Sequence, residues 1–253
     1  MSKISVNDLS INYDEFLGHK KNVILLHGWG QSSVMMAPVA NFLKEHFNVY
    51  NIDCPGFGES EEPKEAIGVE DYTEIIRFFI ENKGIENPIF VCHSFGCRIA
   101  IRYAAKYGAY KLALTGPAGV RDKRTIEWYI KTYSYKIAKF IIMHTPLKKN
   151  MEKYQNERGS DDYKNASGVM RGTFVKVVND DVTPILKDVE AETLLIIGEN
   201  DVDTPIEKGK IMEKLMPNCT MVVFEKDDHW AYYHQIQRFN RVLDAFLKDD
   251  YDD

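Results

Sequence analysis

Six short apolar segments alternate with longer segments of helical periodicity, and this alternation limits the folds that the chain can adopt. The apolar segments cover residues 23–26, 49–52, 88–91, 111–114, 194–197 and 221–224. Short apolar runs of this kind are typical of strands that are buried on both faces. Apolar residues recur at three- and four-residue spacing, as in helices, over residues 35–45, 71–82, 95–106, 205–215 and 233–247. Strands that alternate with helices predict an α/β fold with a mostly parallel central sheet flanked by helices.

The pattern changes at two places. Residues 4–13 alternate apolar and polar side chains around the pair Asn7-Asp8, which predicts an exposed antiparallel hairpin. The alternation of strands and helices stops near Gly119 and resumes near Glu192, and the interval carries aromatic residues such as Trp128 at helical spacing. We therefore expect one core domain, residues 1–120 and 182–253, with a helical cap inserted over residues 121–181.

Charge and cysteine content narrow the class of protein. The 253 residues include 32 basic and 38 acidic ones, a net charge of −6, which argues against a general nucleic-acid binder. No apolar run reaches the roughly 18 residues of a membrane span, and the N-terminus does not resemble an export signal. The four cysteines show no CxxC spacing, so we expect reduced core residues. These features predict a cytoplasmic protein whose partner is a small molecule, without nucleic-acid or membrane partners, and they leave the oligomeric state open.

A buried strand runs directly into a helix in the segment Phe90-Val91-Cys92-His93-Ser94-Phe95-Gly96. A serine at such a corner sits on a sharp, strained turn that exposes its hydroxyl beside the first amides of the helix. The segment matches the nucleophile elbow G-x-S-x-G, except that Cys92, another small residue, takes the first glycine position. Ser94 is therefore the predicted nucleophile, and the alternative is that it is an ordinary N-cap of the helix.

A serine nucleophile needs a base, and seven histidines compete for that role. His229 follows the last predicted strand and precedes the last helix, which places it at the carboxyl edge of the sheet. His93 adjoins the serine but is expected to point elsewhere, and His27 is expected to be a structural hydrogen-bonding residue. We therefore predict His229 as the base.

The base in turn needs an acid that orients its imidazole. Three carboxylates, those of Glu199, Asp201 and Asp203, follow the predicted strand 194–197. We favour Asp201 because it lies three residues beyond Gly198, as the motif requires.

Acyl transfer also needs hydrogen-bond donors for the oxyanion that develops on the substrate carbonyl. The residue after the nucleophile, Phe95, is expected to supply one backbone amide. The loop after the first buried strand, His27-Gly28-Trp29-Gly30, is expected to supply the other, which we assign to Trp29.

Five segments of the chain together resemble the α/β hydrolase superfamily, in the branch with a helical cap. The segments are residues 27–30, residues 53–60, the elbow at Ser94, residues 198–201 and residues 228–230. The order Ser94, Asp201, His229 is also the order of that superfamily. The resemblance extends over nearly the whole chain and implies the α/β hydrolase fold with a Ser-His-Asp triad. It says little about the substrate, because this fold hosts esterases, lactonases, C–C bond hydrolases and receptors.

The resemblance favours a hydrolase of small to medium carboxylic esters that works through an acyl-enzyme on Ser94 and needs no cofactor or metal. The first alternative is a C–C bond hydrolase of a diketone acid, because residues 229–231 and 238–241 resemble the C-terminal stretch of such enzymes. His93, where those enzymes usually carry asparagine, and a shorter first glycine loop count against it. An alternative of another class is a receptor-like homologue that binds its ligand under the cap.

Overall fold

The computed structural model describes residues 2–6, 8–121 and 161–251, together with Ile126 and Ser134. Eight strands of the described part form one sheet in the order β1-β2-β4-β3-β5-β6-β7-β8. They are β1 (Ser2–Val6), β2 (Leu9–Phe16), β3 (Asn22–Leu26), β4 (Asn48–Ile52), β5 (Ile89–His93), β6 (Lys111–Thr115), β7 (Glu192–Gly198) and β8 (Cys219–Phe224). β2 pairs antiparallel with β1 and with β4, and the pairs from β4 through β8 are parallel. The prediction of a mostly parallel sheet is confirmed, and the six apolar segments, apart from Pro88, lie in β3 to β8.

Helices lie at all five segments where the periodicity predicts them, and two further α-helices of the described part lie within the predicted cap, residues 121–181. They are α1 (Ser33–Leu43), α2 (Val69–Asn82), α3 (Phe95–Tyr107), α4 (Asp161–Asn165), α5 (Gly168–Val178), α6 (Ile206–Leu215), α7 (Ala231–His234) and α8 (Ile236–Leu247). The predicted helix 233–247 begins earlier and is broken in two at Gln235, whose φ of −109° and ψ of 45° are not helical. The side-chain amide of Gln235 donates to Asp227 Oδ2 at 2.8 Å, which ties the break to the preceding loop. Among the described helices, none combines the length and the apolar character that crossing a membrane requires.

The two faces of the sheet carry separate hydrophobic cores. Along β3, the side chains of Ile24 and Leu26 join the core under α2 and α3, whereas Val23 and Leu25 join the core under α1 and α8. All four are fully buried, and burial of each such side chain stabilises the fold by about 1.5–3 kcal/mol. The unbroken apolar segments follow from this arrangement, because no face of β3 meets water.

The N-terminal hairpin is present, and β1 exposes Lys3 and Ser5 as predicted, but β2 is more buried than the sequence pattern predicts. β2 lies between β1 and β4, and Ile11, Asn12 and Tyr13 are all buried. The polar Asn12 tolerates burial because its side-chain amide donates to Asp53 Oδ2 at 2.9 Å. Alternation of apolar and polar side chains therefore overestimated the solvent exposure of β2.

The two ends of the predicted cap meet beside α3, in a region that we call the insertion neck (residues 119–121 and 179–182). The Val182 amide donates to Gly119 O at 3.1 Å, and Arg121 donates to Asn179 O at 3.0 Å. Two arginines of α3 bind Asp180: Arg98 donates to its backbone oxygen and Arg102 to its carboxylate. The aromatic residues predicted to form a helix face, such as Trp128, lie outside the described residues, so the cap itself stays a prediction.

Candidate active site

The predicted elbow forms a tight corner between β5 and α3. Ser94 has a φ of 49° and a ψ of −106°, a strained conformation that costs a non-glycine residue about 1–3 kcal/mol. Its backbone amide donates to Thr115 O at 3.0 Å, which holds the corner against β6. The Ser94 hydroxyl forms no capping hydrogen bond with α3, unlike an ordinary N-cap serine, and is left to bind another partner.

Close packing explains which elbow positions need small residues. A Cβ atom at Gly96 would lie 2.5 Å from the backbone oxygen of Leu26, so the start of α3 can approach β3 only with glycine there. Cys92, at the position where the motif has its first glycine, is fully buried in the core under α3. Burial raises the pKa of the Cys92 thiol, which is a free thiol like that of the other three cysteines.

His229 contacts both other residues of the predicted triad. Its Nε2 lies 2.9 Å from Ser94 Oγ, and its Nδ1 lies 2.8 Å from Asp201 Oδ2. The loop after β8 carries His229, the corner after β5 carries Ser94, and the loop after β7 carries Asp201. The structure thus brings the three predicted residues into one hydrogen-bonded chain at the carboxyl edge of the sheet.

The carboxylate of Asp201 is buried and accepts four hydrogen bonds. Besides His229, it accepts from the Asp203 amide at 2.9 Å, from the Thr204 amide at 2.7 Å and from the Thr204 hydroxyl at 2.7 Å. Burial alone would raise the pKa of Asp201, but the hydrogen bonds from His229 and Thr204 outweigh it and leave the pKa lowered. Asp203 contributes its backbone amide to this carboxylate. Thr204 belongs to none of the sequence motifs that predicted the triad.

The other two histidines near the site have different surroundings. His27 is buried, with Nδ1 2.7 Å from Gly28 O and Nε2 accepting from the Cys54 amide at 3.0 Å, a structural role as expected. His93 is buried too, and its Nδ1 lies 3.1 Å from Thr115 O. Burial lowers the pKa of His93 to about 3, so it stays neutral. Its ring packs 4.8 Å from the ring of His229, a contact that no sequence signal indicated.

The two residues predicted to supply the oxyanion amides contact each other through their side chains. The ring of Trp29 packs 5.6 Å from the ring of Phe95, the residue that follows Ser94. Trp29 also packs 5.1 Å from Phe174 of α5, which belongs to the predicted cap. Neither the Trp29 nor the Phe95 amide has a hydrogen-bond acceptor among the described residues, so both can donate to a bound group.

Two groups of side chains in the described ranges bring metal-ligand atoms together. The first comprises Asp201, Asp203 and His229, and the second comprises Asp227, Asp228 and His234. Hydrogen bonds between members account for both, since His229 binds Asp201 and His234 Nδ1 lies 2.8 Å from Asp227 Oδ1. We assign no metal to either group.

Gly116, which follows β6, determines the space available to the His229 ring. Its φ is +50°, and a Cβ atom there would lie 2.9 Å from His229 Nδ1. We expect Gly116→Ala to displace the ring and to slow labelling of Ser94 by a fluorophosphonate about 100-fold, since displacements near 1 Å have effects of that size. The matched control is Gly84→Ala, because Gly84 has a similar φ of +62° but nothing within 4 Å of an added Cβ. Equal labelling rates for the two variants would contradict this account of Gly116.

Comparisons with known proteins agree with this architecture. The family model described as alpha/beta hydrolase fold matches residues 21–234. The chain is 26% identical to a 2-hydroxy-6-oxo-6-phenylhexa-2,4-dienoate hydrolase of Comamonas testosteroni, over 98% of this chain and 95% of that protein. It is 23% identical to a pimeloyl-(acyl-carrier protein) methyl ester esterase of Legionella pneumophila (strain Corby), over 95% of this chain and 100% of that protein.

A solved structure with similar topology is that of an esterase from Exiguobacterium antarcticum. It matches with a TM-score of 0.75 at 20% sequence identity, covering 98% of this chain and 99% of that one. At this identity the likeness establishes the shared fold. Since the family model also covers most of the chain, the protein has the α/β hydrolase fold and belongs to the α/β hydrolase family.

Proposed function

We propose that the protein is a serine hydrolase that cleaves small to medium carboxylic esters through an acyl-enzyme on Ser94. The observation that carries the proposal is the hydrogen-bonded chain from Ser94 Oγ through His229 to Asp201. This arrangement supplies a nucleophile, a general base and a carboxylate that orients the base.

In the acylation step, Ser94 Oγ attacks the ester carbonyl carbon while its proton passes to His229 Nε2. The carbonyl oxygen becomes an oxyanion, which the amides of Phe95 and Trp29 would bind. When the intermediate collapses, the bond to the alcohol oxygen breaks and the alcohol leaves with the proton from His229. Asp201 stabilises the imidazolium ion between these two transfers.

In the deacylation step, water takes the place of the alcohol. His229 accepts a proton from the water molecule as the water oxygen attacks the acyl carbon. The bond from that carbon to Ser94 Oγ then breaks, Oγ recovers the proton from His229, and the carboxylic acid is released.

We further propose that residues 121–181 form the cap over this site and that residues 1–120 and 182–253 form the core. The described end of the segment supports this division. Phe174 of α5 packs against Trp29, and the side chain of Met170 occupies the space beside Gly56. The insertion neck then joins the segment to α3, the helix that begins after Ser94.

The second candidate is hydrolysis of a C–C bond in a diketone acid. The Comamonas testosteroni relative, named as a dienoate hydrolase, favours it at 26% identity over nearly the full chain. The leaving group would then be a carbanion equivalent. It would have to be protonated at carbon, whereas an ester releases an alcohol that is protonated at oxygen. The ester-cleaving relative from Legionella pneumophila covers a similar share of the chain at 23% identity, so identity does not decide between the two.

A substrate panel on the purified full chain tests the proposal. It contains p-nitrophenyl esters of graded acyl length, a thioester, a lactone and a vinylogous diketone acid, with Ser94→Ala as the control. We expect multiple turnovers on short and medium esters and a rate about a millionfold lower with the control variant. The proposal is wrong if only the diketone acid turns over, which would favour the C–C hydrolase. It is also wrong if esters raise the melting temperature without turnover, as a receptor-like protein would behave.

A further inference from the structure

The Asp201 carboxylate has four hydrogen-bond donors, and Thr204 provides two of them. An ionised carboxylate offers about four acceptor positions. On Oδ1 these are filled by the amides of Asp203 at 2.9 Å and Thr204 at 2.7 Å. On Oδ2 they are filled by His229 Nδ1 at 2.8 Å and by the Thr204 hydroxyl at 2.7 Å. Thr204 is itself buried, so water does not compete for its hydroxyl group.

The surroundings fix the direction of the Thr204 hydroxyl proton. Thr204 Oγ1 lies 2.7 Å from Asp201 Oδ2 and 3.3 Å from His229 Nδ1. A hydroxyl has one proton, and an ionised carboxylate can only accept. The proton therefore goes to Asp201, and the oxygen presents only lone pairs to His229.

This orientation selects one tautomer of His229. With an acceptor on Asp201 and a second one on Thr204, Nδ1 is favoured to carry the ring proton. Nε2 is then left with the lone pair that faces Ser94 Oγ at 2.9 Å, as a general base requires.

We infer that Thr204 is a positioning residue for the reaction: through its hydroxyl it anchors Asp201 and holds His229 in the tautomer that can accept the Ser94 proton. The inference rests on the proposed function, because the tautomer matters only if His229 acts as the base. Thr204 acts on the turnover step and not on substrate binding, since its hydrogen bonds within the described part of the chain go to the carboxylate and the imidazole.

Three variants test this role. Thr204→Val keeps the shape and the backbone amide but removes the hydroxyl, Thr204→Ser keeps the hydroxyl, and Thr73→Val is the matched control. Thr73 is also buried and donates its hydroxyl proton to Val69 O at 2.9 Å inside α2. We expect Thr204→Val to lower kcat for an ester about tenfold with little change in KM, since hydrogen bonds to charged groups have effects of at least this size. Thr204→Ser should recover most of the lost kcat, and Thr73→Val should not lose kcat.

Several outcomes would overturn the inference. A kcat at the wild-type level for Thr204→Val would do so, as would a Thr204→Ser variant as slow as Thr204→Val. If Thr204→Val and Thr73→Val lose kcat equally and both have lowered melting temperatures, Thr204 contributes only to packing. If Ser94→Ala turns over ester at close to the wild-type rate in the same assay, the proposed function fails and takes this inference with it. If Ser94→Ala is inactive and Thr204→Val is normal, the inference fails alone.

Discussion

Ser94→Ala is expected to lower kcat for ester hydrolysis by about a millionfold. Without Oγ no acyl-enzyme can form, and His229 Nε2, now 2.9 Å from that oxygen, has no hydroxyl to deprotonate. A small residual rate above that in water is expected, because the amides of Phe95 and Trp29 remain available to an oxyanion. Initial rates on the best ester of the panel measure the loss.

Covalent labelling shows whether that loss belongs to Ser94 alone. A fluorophosphonate should attach once to the wild-type chain and not to Ser94→Ala. The matched control is Ser167→Ala, because Ser167 also precedes a helix, α5, but with an ordinary φ of −121°. This control should keep both labelling and turnover. Labelling of Ser94→Ala at an undiminished rate would disprove the assignment of the nucleophile.

Asp201→Asn is expected to lower kcat about 10,000-fold while leaving the fold intact. The carboxylate accepts four donors, and an asparagine amide can accept on one side only. If its oxygen faces the amides of Asp203 and Thr204, its NH₂ group faces His229. The imidazole must then turn to the tautomer with the proton on Nε2, which cannot accept a proton from Ser94.

Asp203→Asn is the natural comparison for this prediction. Asp203 supplies only its backbone amide to Asp201, and the substitution retains that amide. We therefore expect Asp203→Asn to turn over ester at close to the wild-type rate. A dead Asp203→Asn together with a nearly normal Asp201→Asn would mean that the acid has been assigned to the wrong residue.

The fold was predictable where burial alone dictates the residue type. The runs at 23–26 and 89–91 are apolar throughout because both faces of β3 and β5 meet packed helices. Exposure of β2 was mispredicted, because a residue pattern does not reveal that β4 covers the second edge of this strand. The break at Gln235 was also missed. It depends on hydrogen bonds to the loop after β8, and helical periodicity does not record such bonds.

Residues of the candidate site were predictable where a strand ends and a chemical role restricts the side chain. Ser94, Asp201 and His229 each follow a strand, and the sheet brings those ends together. Thr204 and His93 were missed for a physical reason. His93 packs against His229, which is distant in sequence, and Thr204 binds the nearby Asp201 carboxylate. Many residue types occupy such positions, so neither residue stands out in the sequence.

The hydrogen bonds of the Asp53 carboxylate were not predictable from the sequence either. It accepts from the Ser33 amide at 2.6 Å, the Asn12 side chain at 2.9 Å and the Glu59 amide at 2.9 Å. Burial would raise the pKa of Asp53, but these hydrogen bonds leave it lowered. The segment 53–60 helped to identify the family, yet its sequence alone did not indicate that its first residue joins the loop to β2 and α1.

The insertion neck has a consequence for how this family can vary. Since the Val182 amide and Gly119 O are hydrogen-bonded at 3.1 Å, the chain leaves the sheet and returns to it at a single point. The entropy of closing a flexible segment between fixed ends grows slowly, so doubling its length costs only about 0.6 kcal/mol. The segment between these ends can therefore lengthen, shorten or be exchanged for another without straining β6 or β7, while Ser94, Asp201 and His229 remain on the unchanged side of the junction. Under the proposed division into core and cap, substrate preference and the proposed triad can thus change independently of each other.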